Sequence, residues 1–92
     1  MININTKFLE QATNKWGEPI QLIMVVEEIA ELIKEISKYF RRKDNRENII
    51  EEVGDVYIML EQMKIIFNIT DEELNTIIDQ KIERLEGKLR SE

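Results

Sequence analysis

Apolar residues recur at helical spacing along almost the whole chain, and four helices account for them. The first is predicted from about Asn5 to Lys15, with Phe8, Leu9 and Ala12 on one face. Trp16-Gly17-Glu18-Pro19 interrupts it. Pro19 suits the first turn of a second helix, where a missing N–H costs nothing. That second helix is expected from about Pro19 to about Arg41. Its apolar positions, among them Leu22, Val25, Val26, Ile29, Ile33 and Ile36, spread over roughly 200° of its circumference. A helix resting on one neighbour needs only about half of that arc. This one is expected to be packed from two or more sides.

Two later helix starts carry local signals. Asp44 followed by Glu47, and Thr70 followed by Glu73, both have the spacing of a capping box. They place a third helix at about 45–67 and a fourth at about 71–90, with Leu74, Ile77, Ile78, Ile82, Leu85 and Leu89 as the apolar stripe of the fourth. The connections are short, so neighbouring helices are expected to run antiparallel.

Composition supports helices over strands. The 92 residues include 3 Gly and 1 Pro, too little turn chemistry for a series of hairpins. Hydrophobic residues make up 42% and charged residues 35%, the balance of a folded chain. There is no repeat, low-complexity tract or linker, so residues 1–92 read as a single domain. A chain this short buries only ~60–65% of its unfolded surface. Together with the wide apolar arc of the second helix, this predicts a homodimer or homotetramer, with any ligand site in or near a subunit interface.

Charge narrows the chemistry. Lys and Arg number 13 against 19 Asp and Glu, a net charge of −6, and the chain contains no His and no Cys. Disulfides, thiol nucleophiles, imidazole-based triads and zinc sites built on Cys or His are excluded. The acidic balance argues against nucleic acid and against an anionic membrane surface as partners. No apolar run approaches the ~20 residues of a membrane span. The first residues, MININTKFLE, do not read as a signal peptide, so the expected location is cytoplasmic. Arg41-Arg42-Lys43, at the end of the second helix, would complement its dipole, a phosphate contact being the other reading.

Two acidic clusters stand out. The second helix carries Glu27, Glu28 and Glu31, and the third carries Glu51, Glu52 and Asp55. Glu28 with Glu31, and Glu52 with Asp55, are pairs at i, i+3, a spacing that puts both side chains on one helix face. Two facing helices would converge four carboxylates, and a hard divalent cation such as Mg²⁺, Mn²⁺ or Ca²⁺ would relieve their repulsion. The alternative is solvated glutamates on a charged protein. Phase separates the two readings on the third helix. Glu52 and Asp55 continue the stripe of Met59, Met63 and Ile66, where a purely solvated carboxylate has no reason to sit. On the second helix only Glu28, near Met24, Leu32 and Tyr39, leaves the middle of the polar arc.

The pattern Glu27-Glu28-x-x-Glu31, a 20-residue spacer, then Glu52-x-x-Asp55 resembles the MazG-like all-α nucleoside triphosphate pyrophosphohydrolases. That group includes dimeric dUTPases, dCTPases and phosphoribosyl-ATP pyrophosphatase. The segments WGEPIQLIMVVEEIAEL and EEVGDVYIML resemble the group's two metal-binding helices, and the likeness extends over about residues 8–90. It implies an all-α, four-helix MazG-like bundle completed by oligomerisation. It implies Mg²⁺, with Mn²⁺ able to substitute, held by Glu28, Glu31, Glu52 and Asp55. The implied reaction is hydrolysis of a nucleoside triphosphate to the monophosphate and pyrophosphate, with Glu27 or Glu28 accepting the proton of the attacking water. Lys81 and Arg84, with Lys88 next, match basic residues that meet the phosphates, surface charge being their other reading. Trp16 matches an aromatic near the nucleobase, or else plugs the core at its turn. The sequence departs from base-specific members in lacking His and in carrying Met59 where some have Tyr. Two rivals remain: a phosphoribosyl-ATP pyrophosphatase-type enzyme, and a non-enzymatic acidic helical bundle that binds a partner through its apolar face.

Overall fold

Each helix begins and ends on identifiable chemistry. The computed structural model describes residues 2–91 and contains α1 (Thr6–Trp16), α2 (Glu18–Phe40), α3 (Arg46–Ile66) and α4 (Asp71–Ser91), with no strand among the described residues. Asn5 caps α1, its Oδ1 accepting from the Lys7 N–H at 3.1 Å and the Phe8 N–H at 3.4 Å. Gly17 closes α1 and opens α2. Its φ of 86° is one that an L side chain adopts only under strain. Its N–H reaches back to Thr13 O, and its own carbonyl accepts from Gln21 N–H. Pro19 sits in the first turn of α2, as expected.

α2 and α3 pack antiparallel. Glu35 on α2 lies level with Asn45, just before α3, and Glu28 lies level with Glu52 and Asp55. The turn between them satisfies the end of α2 with a paired closing motif. Lys43 N–H bonds Lys38 O, and Arg42 N–H bonds Tyr39 O, with Arg42 in the left-handed region at φ 62°. The expected capping box at Asp44 and Glu47 does not form. Asn45 is the residue preceding α3, and no side chain caps the helix. The reason is that Asn45 turns inward. It is buried, and its Nδ2 donates to the Glu35 carbonyl at 2.8 Å and to Glu35 Oε1 at 3.1 Å. Lys38 Nζ holds the other Glu35 oxygen at 3.1 Å. A carboxylate, an amide and an ammonium thus clasp the closed end of the hairpin.

α1 lies across the other end. Leu9 is buried there, and the completely buried Gln62 donates through Nε2 to Leu9 O at 3.3 Å and to the Thr13 hydroxyl.

α4 behaves differently from the expected fourth bundle member. It packs on none of the other three helices, and every one of its residues is exposed. Its direction is fixed by a tight corner. Ile69 N–H bonds Lys64 O at 2.8 Å and Asn68 N–H bonds Ile65 O, with Asn68 left-handed at φ 53°. The predicted capping box at Thr70 and Glu73 then forms. Glu73 N–H bonds Thr70 Oγ1 at 3.1 Å, and Thr70 N–H bonds Glu73 Oε2 at 2.9 Å. Lys64 pairs with both Glu61 and Asp71 across the corner.

The outcome is an extended molecule. Its radius of gyration is 16.1 Å, against about 12 Å for a compact chain of this length. Among the described residues only Leu9, Val25 and Met59 are buried apolar side chains. The wide arc of α2 is covered by α3 and α1 on one part only. No helix of the described residues is long and apolar enough to cross a membrane.

Asn45→Ala removes both bonds to Glu35 and leaves buried acceptors unpaired. A loss of about 1–3 kcal/mol is expected in denaturant unfolding, with helical content otherwise retained by circular dichroism.

Candidate metal centre

Two turns along α2 from the Glu35–Asn45 clasp, three carboxylates meet. Glu28, Glu52 and Asp55 each offer one oxygen, and these oxygens lie within 4.8 Å of one another. Cation–oxygen distances of ~2.0–2.6 Å place the ligands of one divalent ion no more than ~5 Å apart. The three groups are half-buried at the α2–α3 contact. α2 supplies Glu28 from the stripe that faces α3, between Val25 and Leu32. α3 supplies Glu52 and Asp55 from one face, one turn before the buried Met59.

The electrostatics match a site wanting positive charge. Burial raises the pKa of Glu28, and a hydrogen bond to Asp55 and the charges of Asp55, Glu52 and Glu31 raise it further. Glu52 is pushed up first by burial, then by Asp55, Glu31 and Glu35. Glu52 Oε2 is buried without a hydrogen-bond partner. An orphaned carboxylate oxygen beside two further carboxylates is the donor set of a hard cation, and the residues present fit one.

The remaining predicted residues are more dispersed. Glu31 is exposed, one turn from Glu28, and reaches the cluster through its field. Glu27 is exposed beside Glu28. Lys81 and Arg84 stand on the free helix α4, which does not bring them to the carboxylates of its own chain. Trp16 is 49% exposed at the end of α1, with Lys15 Nζ 5.4 Å from its ring centroid, so it does not plug the core of this chain.

Several buried polar residues escaped the sequence reading. By sequence Glu35 falls on the polar arc that Glu27, Glu31, Lys34 and Lys38 share, yet it is only 6% exposed. Its pKa is lowered by Asn45 first and then by Lys38. A signal was present: Gln21, Val25, Glu28, Leu32 and Glu35 recur at steps of four and three, one stripe of α2. Gln21 and Gln62 are likewise buried, each with one amide atom unpartnered.

The chain matches no family model, no curated protein and no solved structure. The motif and the geometry of the carboxylates carry the functional reading.

The shifts set a pH profile with two limbs. Glu28 and Glu52 have raised folded pKa values, so the metal-free protein gains stability as pH falls from neutrality toward the ordinary carboxylate range. Glu35 has a lowered one, so its contribution is present above that range and is lost as pH falls through its folded pKa. A melting temperature that peaks on the acid side of neutrality is expected. Mg²⁺ added at neutral pH should raise the melting temperature and flatten the upper limb. A profile falling steadily from neutrality and indifferent to Mg²⁺ would contradict the assignment.

Proposed function

We propose that this protein is a Mg²⁺-dependent nucleoside triphosphate pyrophosphohydrolase of MazG-like type, acting in the cytoplasm as a homodimer or homotetramer. Water attacks the α-phosphorus and the bond from that phosphorus to the α,β-bridging oxygen breaks, leaving a nucleoside monophosphate and pyrophosphate. The single observation that supports this most is the unpartnered, buried Glu52 Oε2 inside a three-carboxylate cluster, at the positions where the motif expects ligands.

Glu28, Glu52 and Asp55 would hold the ion, and Glu31, whose charge is felt at Glu28 and Glu52, would join them on a turn of its side chain. When bound, Mg²⁺ supplies positive charge between anionic protein and anionic substrate and acidifies water. Mn²⁺ offers similar chemistry to an all-oxygen donor set. Glu27 is exposed next to Glu28 along α2, and in this reading one of the two accepts the proton of the attacking water. Lys81 and Arg84 would offset charge on the departing pyrophosphate. Their place on the free helix means that a second chain, or a swing of α4, has to bring them there. Trp16, half exposed at the turn into α2, is the aromatic surface on offer to a base.

A non-enzymatic interaction module is the second reading, favoured by the exposed apolar stripe of α4. It predicts no pyrophosphate release from any substrate.

The deciding experiment is a panel of ribo- and deoxyribonucleoside triphosphates and phosphoribosyl-ATP, with Mg²⁺, Mn²⁺ or a chelator, read by pyrophosphate release. Glu52→Gln is expected to lower release ~100-fold or more, the scale on which one electrostatic contact to a developing charge acts. Its melting temperature should hold or rise, because a buried repulsive charge is gone. Full release by Glu52→Gln would sink the proposal.

A further inference from the structure

The turn that joins α2 to α3 gathers the positive charge of an acidic chain. Residues 34–46 hold 6 of the 13 Lys and Arg but only 2 of the 19 Asp and Glu, a local charge of +4 where the whole chain carries −6. Lys34, Arg41, Arg42, Lys43 and Arg46 are exposed, and Lys38 is half-buried. Of these six only Lys38 reaches a carboxylate within ion-pair distance among the described residues, that of Glu35. Closing α2 does not occupy the others. The Lys38 and Tyr39 carbonyls already accept from the backbone N–H groups of Arg41, Arg42 and Lys43. The three side chains are left facing solvent.

Aromatic surface lies beside them. Phe40 is 78% exposed, the highest of any large apolar side chain among the described residues, and Tyr39 is 62% exposed. The two rings meet edge to face, 6.3 Å between centroids and 63° between planes. Tyr39, Phe40, Arg42, Lys43 and Asp44 line an open cleft of about 540 Å³, within the ~300–1,000 Å³ of small-molecule sites. The cleft is at the end of the hairpin away from α1. Phe40 follows Glu28 by twelve residues, ~18 Å along the helix. The carboxylate cluster and this cleft are therefore separate places.

We propose that the cleft binds a free nucleotide, with its base on Phe40 or Tyr39 and its phosphate on Arg42 and Lys43. The lining offers a group to each part of such a ligand. A base is a flat apolar surface that stacks on an aromatic ring. A guanidinium grips two phosphate oxygens at once, and an ammonium adds a second positive charge. The Asp44 carboxylate repels a bare phosphate but accepts hydrogen bonds from ribose hydroxyls. Charge limits the size of the ligand. Outside residues 34–46 the chain carries −10, so a long polyanion or an anionic membrane that ran on past the turn would be repelled. The site needs no metal ion and uses none of the carboxylates of the metal centre, so it stands apart from the proposed hydrolysis.

The test is calorimetric titration of the full chain with adenosine and uridine monophosphates, with a chelator present so that no metal-dependent binding contributes. Saturable binding of at least one is expected, weakened by added salt. Inorganic phosphate and the nucleosides alone should bind ~10-fold more weakly or worse, each lacking one of the two contacts. Arg42→Gly should weaken binding about tenfold, the scale of one charged hydrogen bond. Arg42 has φ 62°, a conformation that glycine adopts freely, so the melting temperature of this variant should hold or rise. Loss of binding then cannot be loss of fold. Phe40→Ala should also weaken binding about tenfold, and Lys7→Ala, on α1, should leave it unchanged. Absence of saturable binding overturns the proposal. So does inorganic phosphate that binds as tightly as the nucleotides, or a nucleotide affinity that Arg42→Gly and Phe40→Ala leave intact. A single-stranded oligonucleotide or phosphatidylserine vesicles that bind more tightly than the mononucleotides at the same salt would overturn the choice of a free nucleotide. Pyrophosphate release plays no part in these readouts, so the two proposals fail separately.

Discussion

The register between α2 and α3 rests on one polar contact, the Asn45 amide against Glu35. Its position explains why the carboxylates meet. Glu35 is seven residues beyond Glu28, and Asn45 is seven residues before Glu52. Both intervals are two helical turns, ~10.5 Å. In an antiparallel pair, aligning Glu35 with Asn45 at once aligns Glu28 with Glu52. Asp55 follows on the same face one turn later. A slip by one residue would rotate every one of these groups out of the contact. Apolar side chains tolerate such slips better than a buried amide whose donors need defined acceptors.

That choice has an energetic consequence. The stripe of α2 facing α3 contains two glutamates and a glutamine among its five members, and α3 meets it with Glu52 and Asp55, while Gln62 of α3 is buried against α1. Glu35 is compensated by Asn45 and Lys38, and its pKa falls accordingly. Glu28 and Glu52 form no ion pair among the described residues, and their pKa values rise. The two ends of one interface therefore respond to charge in opposite ways. One is a finished structural contact. The other is held together by its surroundings and left in need of positive charge.

Much of this was legible in the sequence. Four helices follow from periodicity and breakers, and their ends fall within a residue or two of expectation. The Thr70–Glu73 capping box and the inward phase of Glu28, Glu52 and Asp55 were readable because local spacing determines both. The Asp44–Glu47 box was misread because a tertiary partner, Glu35, outcompetes the local cap for the residue next to it. Glu35 itself was hidden by residue type, since a glutamate at an apolar phase looks solvated until its partner is known. The detachment of α4 was not legible. Its stripe of Leu and Ile reads the same whether it packs on its own chain or on another.

The corner between α3 and α4 is where local and global demands part. Each N–H from Phe67 to Thr70 finds a partner nearby: the closing turn of α3 satisfies the Lys64 and Ile65 carbonyls, Thr70 N–H bonds Glu73, and the Thr70 hydroxyl accepts from Glu73 N–H in the first turn of α4. Lys64 then bridges Glu61 and Asp71. The corner sends a 21-residue helix away from the other three helices and from the apolar surface it could have covered. Hydrophobic stabilisation scales with area removed from water, and with three apolar side chains buried among the described residues most of the chain's apolar area still lies in water. The face that needs covering and the face that carries the carboxylates are different faces of one helical pair. Covering the first would leave the second open to solvent, where the proposed cation and its substrate would enter.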